Sequence, residues 1–200
     1  MTEFNDELSE RPVFVTGADG FVGSHLIDTL VDYDADVHAF VRASSSGELQ
    51  NIQHQQDSVR IHRGDLRDPH SVRVALSELA DRTEILIFHL GAQAHVGESW
   101  DRPYETVDAN VMGTLHLLQA TVDLDLDITK FDTAGTSEEY GNVKQEMRDK
   151  HDIGTDDRVL LSERSPVNPT SIYATSKLAA DFLTMNFHDA YGLPTVTTRM

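Results

Sequence analysis

Two hundred residues suffice for one substantial domain with its own core. The 34 acidic residues outweigh 16 basic ones, and the net charge of −18 argues against nucleic acid or an anionic membrane as main partner. There is no cysteine, which excludes disulfides and thiolate metal sites, and no apolar run long enough to cross a bilayer.

The N-terminal stretch 1–11 is acidic and polar, reads as a mobile arm and lacks the pattern of a signal peptide, so a cytoplasmic location is expected. From residue 12 onward, strand-like runs alternate with helical ones, the signature of βαβ units in a doubly wound parallel α/β sheet. Pro12–Thr16 is the first strand and Phe21–Val31 the first helix. Val37–Arg42 and Val59–His62 are the next strands, and Pro69–Ala80 is helical, with Pro69 suited to a first turn. Ile85–Leu90 is a continuous apolar run, as in a strand buried on both faces. Tyr104–Val122 is one long helix, with Val111, Leu115, Leu118 and Val122 as its apolar stripe. Ile128–Thr133 is a strand, and Asn142–Asp157 a surface excursion. After Pro169 comes a helix carrying Leu178, Phe182 and Met185 on one face, and Thr195–Thr198 is a final strand.

Thr16-Gly17-Ala18-Asp19-Gly20-Phe21-Val22-Gly23 joins the first strand to the first helix, the context in which this glycine spacing signals a dinucleotide. Gly17 permits a tight turn, Gly20 lets backbone approach a pyrophosphate, and Gly23 lets helix and strand pack. The N–H groups at the helix start would face the anion. The second strand ends in Arg42 and Ser44 rather than in the carboxylate of a typical NAD site, which favours NADP over NAD. Asp65, followed by Leu66, stands after the third strand, where a carboxylate can accept from an adenine amino group; it is equally ordinary turn chemistry. Tyr173 and Lys177 share a helix face at i, i+4, and a nearby ammonium would lower the phenol's pKa and make it a usable base. Thr136 and Glu138 follow a strand, at the sheet end where open α/β folds hold ligands. His89 and His95 lack metal-site spacing, so no metal is expected.

These motifs, together with His89-Leu90-Gly91-Ala92-Gln93 and Asn110-Val111-Met112-Gly113-Thr114, resemble the extended short-chain dehydrogenase/reductase family. Thr136-Ser137-Glu138 before Glu139-Tyr140-Gly141 is similar to its GDP-mannose 4,6-dehydratase type. The resemblance, from about residue 12 to the end, implies a Rossmann domain at 12–200. NAD(P) would lie along Gly17, Gly20, Phe21, Val22, Gly23, Arg42, Ser44, Asp65, Leu66, Leu90, Ala92, Gln93, Tyr173 and Lys177. It implies a nucleotide-sugar substrate and a catalytic set of Thr136, Glu138, Tyr173 and Lys177, with Glu138 rather than Glu139 as acid/base. A 4-epimerase or UDP-glucuronate decarboxylase is the alternative within the family, and a cofactor-binding module without catalysis the alternative outside it. The family's smaller substrate-binding region is expected to be missing after Met200. A homodimer through helices 104–122 and 170–191 is implied too. Abundant Asp with scarce Lys favours adaptation to high salt, which screens self-repulsion.

Overall fold

Branched and aromatic runs bounded by glycine, proline and aspartate build six strands that lie parallel in one sheet. The computed structural model describes residues 7–43, 48–143, 148, 151–156 and 158–200. In chain order the elements are β1 (Pro12–Thr16), α1 (Phe21–Asp32), β2 (Asp36–Arg42), β3 (Arg60–Gly64), α2 (Pro69–Ser77), β4 (Ile85–His89), α3 (Val96–Asp101) and α4 (Pro103–Val107). Then come α5 (Gly113–Asp123), β5 (Ile128–Ala134), a short hairpin of β6 (Asp152–Ile153) and β7 (Val159–Leu160), α6 (Ile172–Tyr191) and β8 (Thr195–Thr198). The sheet order is β3-β2-β1-β4-β5-β8, every pairing parallel. This is the doubly wound Rossmann order. The direction of winding reverses between β1 and β4, and that reversal opens a crevice at the strands' carboxyl ends.

Alternation along β1 sends its side chains to two cores. Val13 and Val15 join Ile27, Leu30, Val37, Val41 and Ile52 under α1. Phe14 joins Leu76, Ile87, Leu117, Leu118 and Phe131 under α2 and α5. Both faces of the sheet are therefore covered, which is why these strands read as apolar runs rather than as alternation. Asp68 caps α2 by accepting the His70 N–H at 3.0 Å, with Pro69 in the first turn. Ser171 caps α6 by accepting the Ala174 N–H at 3.0 Å.

One expectation is corrected. The single helix over 104–122 is interrupted: α4 passes into a π-helical turn at Asp108–Met112 before α5 begins. The wider turn accommodates an extra residue and rotates the helix. Asn110, Gly113, Thr114, Leu117 and Thr121 consequently form the buried line together with Leu118, while Val111, Leu115 and Val122 are only half-buried. On α6 the apolar residues Phe182 and Met185 face outward at 47% and 50% exposure. The inner face carries Ala174, Ser176, Lys177, Ala180, Asp181 and Thr184. Of the expected N-terminal arm, residues 1–6 lie outside the described set. Leu8 packs on the α1-side core, and the Arg11 side chain donates to the Glu84 carbonyl and to the Thr129 hydroxyl, both at 2.9 Å.

Candidate active site

The turn between β1 and α1 is shaped by absent side chains. Gly17 has φ +66°, and a Cβ there would stand 2.8 Å from the Gly91 nitrogen. A Cβ on Gly23 would stand 2.2 Å from the Gly17 carbonyl oxygen, so only glycine lets α1 lie this close to the strand end. No side chain caps α1, and its first turn holds no acidic residue. Its leading N–H groups are thus left for an anion, favoured by the helix dipole. This cradle fits the pyrophosphate of a dinucleotide. Asp19, inside the turn, ties down the segment after β2 by accepting the Asn51 N–H at 2.8 Å and the Gln50 N–H at 3.2 Å.

A directional chain of buried hydrogen bonds runs from this turn to α6. The Thr114 hydroxyl donates to the Asn110 carbonyl at 2.6 Å, so its oxygen accepts from Nε2 of His89 at 2.9 Å. Nδ1 of His89 is then the acceptor for the Thr16 hydroxyl at 2.8 Å, whose oxygen accepts the Gly91 N–H at 2.9 Å. This requires a neutral His89, and burial does push its pKa down to about 3, with the Lys177 charge a lesser cause. The Asn110 amide exchanges hydrogen bonds with both backbone groups of Gln93, at 2.7 and 3.1 Å. It also donates to the Ser176 hydroxyl at 2.9 Å, and Ser176 donates to the Tyr173 carbonyl at 2.7 Å. The π-turn is what aims Asn110 inward, so the interruption of the helix serves the site.

At the other end of the chain, β5 leads into a turn, Ser137–Tyr140, capped by the Thr136 side chain. Thr136 and the exposed Glu138 both lie near enough to the phenol of Tyr173 to act on it, Thr136 through its hydroxyl and Glu138 through its charge. Lys177 is 5% exposed, and burial lowers its pKa to about 8. The Tyr173 phenol is raised, first by burial and then by Glu138 and Glu139, with Thr136 opposing. The expectation that the ammonium lowers it is not met in this chain alone, because half-burial beside two carboxylates outweighs any such pull. Glu139 has no exposure at all; it is held under the turn, where its carboxylate accepts the Thr136 N–H.

The remaining expected cofactor residues ring the same crevice. Arg42 is exposed at the end of β2, near enough to help lower the Asp65 carboxyl. Asp65 is engaged by its neighbour: its carboxylate accepts from the Arg67 guanidinium at 2.6 and 3.0 Å, and Arg67 is the chief cause of its lowered pKa. Leu66 packs against Gly91. Leu90, Ala92 and Gln93 are half-buried along the segment after β4. Gly20 caps α1, while the side chains of Phe21 and Val22 point to solvent, at 80% and 52% exposure. Ser44 lies outside the described residues.

A family model described as GDP-mannose 4,6 dehydratase matches residues 14–200. The chain belongs to that family. It is 36% identical over 188 residues to the human GDP-mannose 4,6 dehydratase, covering 90% of this chain and 46% of that protein. It is 34% identical over 194 residues to the GDP-mannose 4,6-dehydratase of Vibrio cholerae serotype O1, covering 93% and 48%. The chain thus spans about half the length of these relatives. Among solved structures, the dTDP-glucose 4,6-dehydratase of Streptomyces venezuelae with NAD and TYD bound is similar, with a TM-score of 0.76 and 28% identity over 94% of this chain and 55% of that one. The UDP-glucose 4-epimerase of Thermus thermophilus, in complex with NAD, gives 0.75 and 29%, over 94% and 54%.

Within this family member, several site residues escaped the sequence reading. Sequence alone gives no hydrogen-bonding role to Thr16, His89, Asn110, Thr114, Ser176, Asp181 or Arg199. The available signal was polarity in the wrong place: Asn110 and Thr114 lie beside the stripe of an otherwise amphipathic helix.

Proposed function

We propose that this chain is the cofactor-binding part of a cytoplasmic 4,6-dehydratase acting on a GDP-linked hexose. The observation that carries the reading is that two proton-handling groups, Tyr173 and Glu138, flank Thr136 at the carboxyl end of β5. Dehydration needs two such groups, whereas epimerisation at C4 needs Tyr173 and Thr136 but not Glu138. When bound, NAD(P) supplies a hydride acceptor for C4 and returns the hydride at C6. Tyr173 takes the proton of the 4-hydroxyl, and Thr136 orients that hydroxyl. The resulting 4-keto group acidifies the C5 proton; Glu138 removes it and gives a proton to the C6 hydroxyl, which leaves as water, and C5 takes up a proton again as the hydride returns to C6. Because Tyr173 holds its proton above the usual phenol range, its action as a base depends on added positive charge, which an oxidised nicotinamide carries.

Arg42 at the end of β2, with no carboxylate beside it in sequence, supports NADP over NAD. The exposed Tyr104, Val107, Met112, Phe182 and Met185 support a homodimer through these helices. The charge of −18 supports adaptation to high salt. The 200-residue chain alone is expected to bind NADP with little or no turnover, so the central test incubates a longer chain that includes a substrate-binding region with GDP-mannose and NADP, product mass being followed beside calorimetric cofactor titration. Loss of one water is expected, abolished in Glu138→Gln with cofactor binding intact. Equal water loss from Glu138→Gln, or a product of unchanged mass, would overturn the dehydratase reading. Light scattering and melting at low and molar KCl check the dimer and the salt dependence; a monomer, or a melting temperature indifferent to salt, counts against each.

A further inference from the structure

Glu139 directly follows the acid/base of that reading, which leaves it without a task, yet it is fully buried (0% exposed). A carboxylate is costly to bury unless it is paired and hydrogen-bonded. Its Oε1 accepts the Thr136 N–H at 3.1 Å, and its backbone carbonyl accepts the Asn168 N–H at 2.8 Å. Its Oε2 lies 3.0 Å from Nε of Arg199, an ion pair without hydrogen-bond alignment. Arg199 directs its own donors elsewhere: Nε and Nη2 to Oδ2 of Asp181 at 3.0 and 2.5 Å, and Nη1 to the Tyr140 hydroxyl at 3.1 Å. Two carboxylates, one from the turn and one from α6, therefore share one guanidinium from the end of β8. The groups that act on Glu139 are Asp181 and Arg199, and Glu139 in turn acts on Tyr173 and Lys177. Lys177 also acts on His89 of β4.

We infer that Glu139 is a positioning residue of the proposed reaction: it pins the backbone of Thr136 from below with one oxygen and balances the buried Lys177 ammonium with its charge. The turn that offers Thr136 and Glu138 to Tyr173 is thereby locked to α6 at a charged joint. The electrostatics agree. Burial lowers Lys177 and Glu139 pulls it back up, while Glu139 itself is raised by burial first and then by Asp181, against the Thr136 N–H and Arg199.

This inference rests on the dehydratase reading only for its purpose; its test reads Lys177 and Thr136 directly and can fail or hold independently of sugar turnover. The chain has only four lysines, so selective 13Cε-lysine labelling gives a readable titration between pH 6.5 and 9.5, with Lys177→Arg assigning the signal. Glu139→Gln keeps an acceptor for Thr136 and removes the charge. It is expected to lower the Lys177 titration by about half a unit or more and to leave the Thr136 N–H protected from hydrogen exchange. Glu139→Leu is expected to lower it similarly and also to lose that protection. A residue that merely stabilises the fold would lower the melting temperature without moving the lysine titration. A folded Glu139→Gln protein with Lys177 unmoved would overturn the charge role, and a folded Glu139→Leu protein with Thr136 still protected would overturn the anchor. Should Glu139→Leu not fold, exchange at Thr136 in Glu139→Ala decides the anchor by the same criterion, and Glu139→Gln alone decides the charge.

Discussion

The two corners of the crevice are built on opposite principles. At the β1–α1 turn the chain makes a site by leaving side chains out: Gly17 and Gly23 let backbone meet backbone, and bare N–H groups await an anion. At the β5–α6 corner it makes a site by putting charges in, with Lys177, Glu139 and Asp181 all nearly or fully buried. The first design needs local conformation and little else. The second works only if residues 139, 181 and 199 arrive together, since a buried carboxylate without its partner is strongly unfavourable. One corner is therefore specified mainly within residues 16–23, with Gly91 brought against them, the other only by residues spread from 136 to 199.

The comparison can be broken most forcefully at its backbone corner. Gly23→Val would put a Cβ 2.2 Å from the Gly17 carbonyl oxygen, with backbone on both sides of the clash. Overpacking of this kind costs about 1–3 kcal/mol where side chains can yield, and more where they cannot. The expected outcome is loss of dinucleotide binding with a marked fall in the urea midpoint. Normal binding by calorimetry would show that the close approach is unnecessary.

The link between the corners is tested by Asn110→Leu. It leaves the Gln93 N–H and the Ser176 hydroxyl without the partner they have now. Each unsatisfied buried group costs about 1–3 kcal/mol, so chemical denaturation should show a loss of a few kcal/mol. A loss under about 0.5 kcal/mol, the level of an ordinary surface change, would mean the chain of hydrogen bonds is incidental.

A smaller effect follows from the histidines. His89 is held near 3 by burial, and His38 near 4 by burial and then by neighbouring His62. Both stay neutral in the fold but take up a proton when unfolded below 6.5. The unfolded chain then binds more protons, so this stability is complete above pH 6.5 and declines as pH falls toward 4. Each contributes about 1.4 kcal/mol per pH unit in that window. The raised carboxyls Asp132 and Glu139 pull the opposite way and soften the slope. Urea unfolding at pH 7.5 and 5.5 should show the decline, and His38→Asn should flatten it. An unchanged slope would remove His38 from the account.

Sequence reading reached the strands and the glycine turn between β1 and α1, because each rests on a period or spacing within a short stretch of chain. It misjudged one helix. For 104–122, periodicity assumed an unbroken 3.6-residue turn, and the π-turn at Asp108–Met112 rotates the face so that Asn110 and Thr114 go inside. For α6 the face carrying Leu178, Phe182 and Met185 was expected to meet a partner, and Phe182 and Met185 do face outward, while small and charged residues line the inner face. Apolar stripes mark what wants to be covered, not what by.

The sequence by itself determined the alternation of strands and helices, the doubly wound parallel sheet and the family, since these follow from local chemistry repeated along the chain. It also named the residues able to handle protons. Only the tertiary structure decided their states: that His89 is neutral with its proton on Nε2, that the Tyr173 phenol is raised rather than lowered, and that Glu139 is sealed beneath the turn while Glu138 stays open. Protonation and burial depend on which distant groups come within a few ångströms and on how much water they displace. Spacing along the chain carries no record of either.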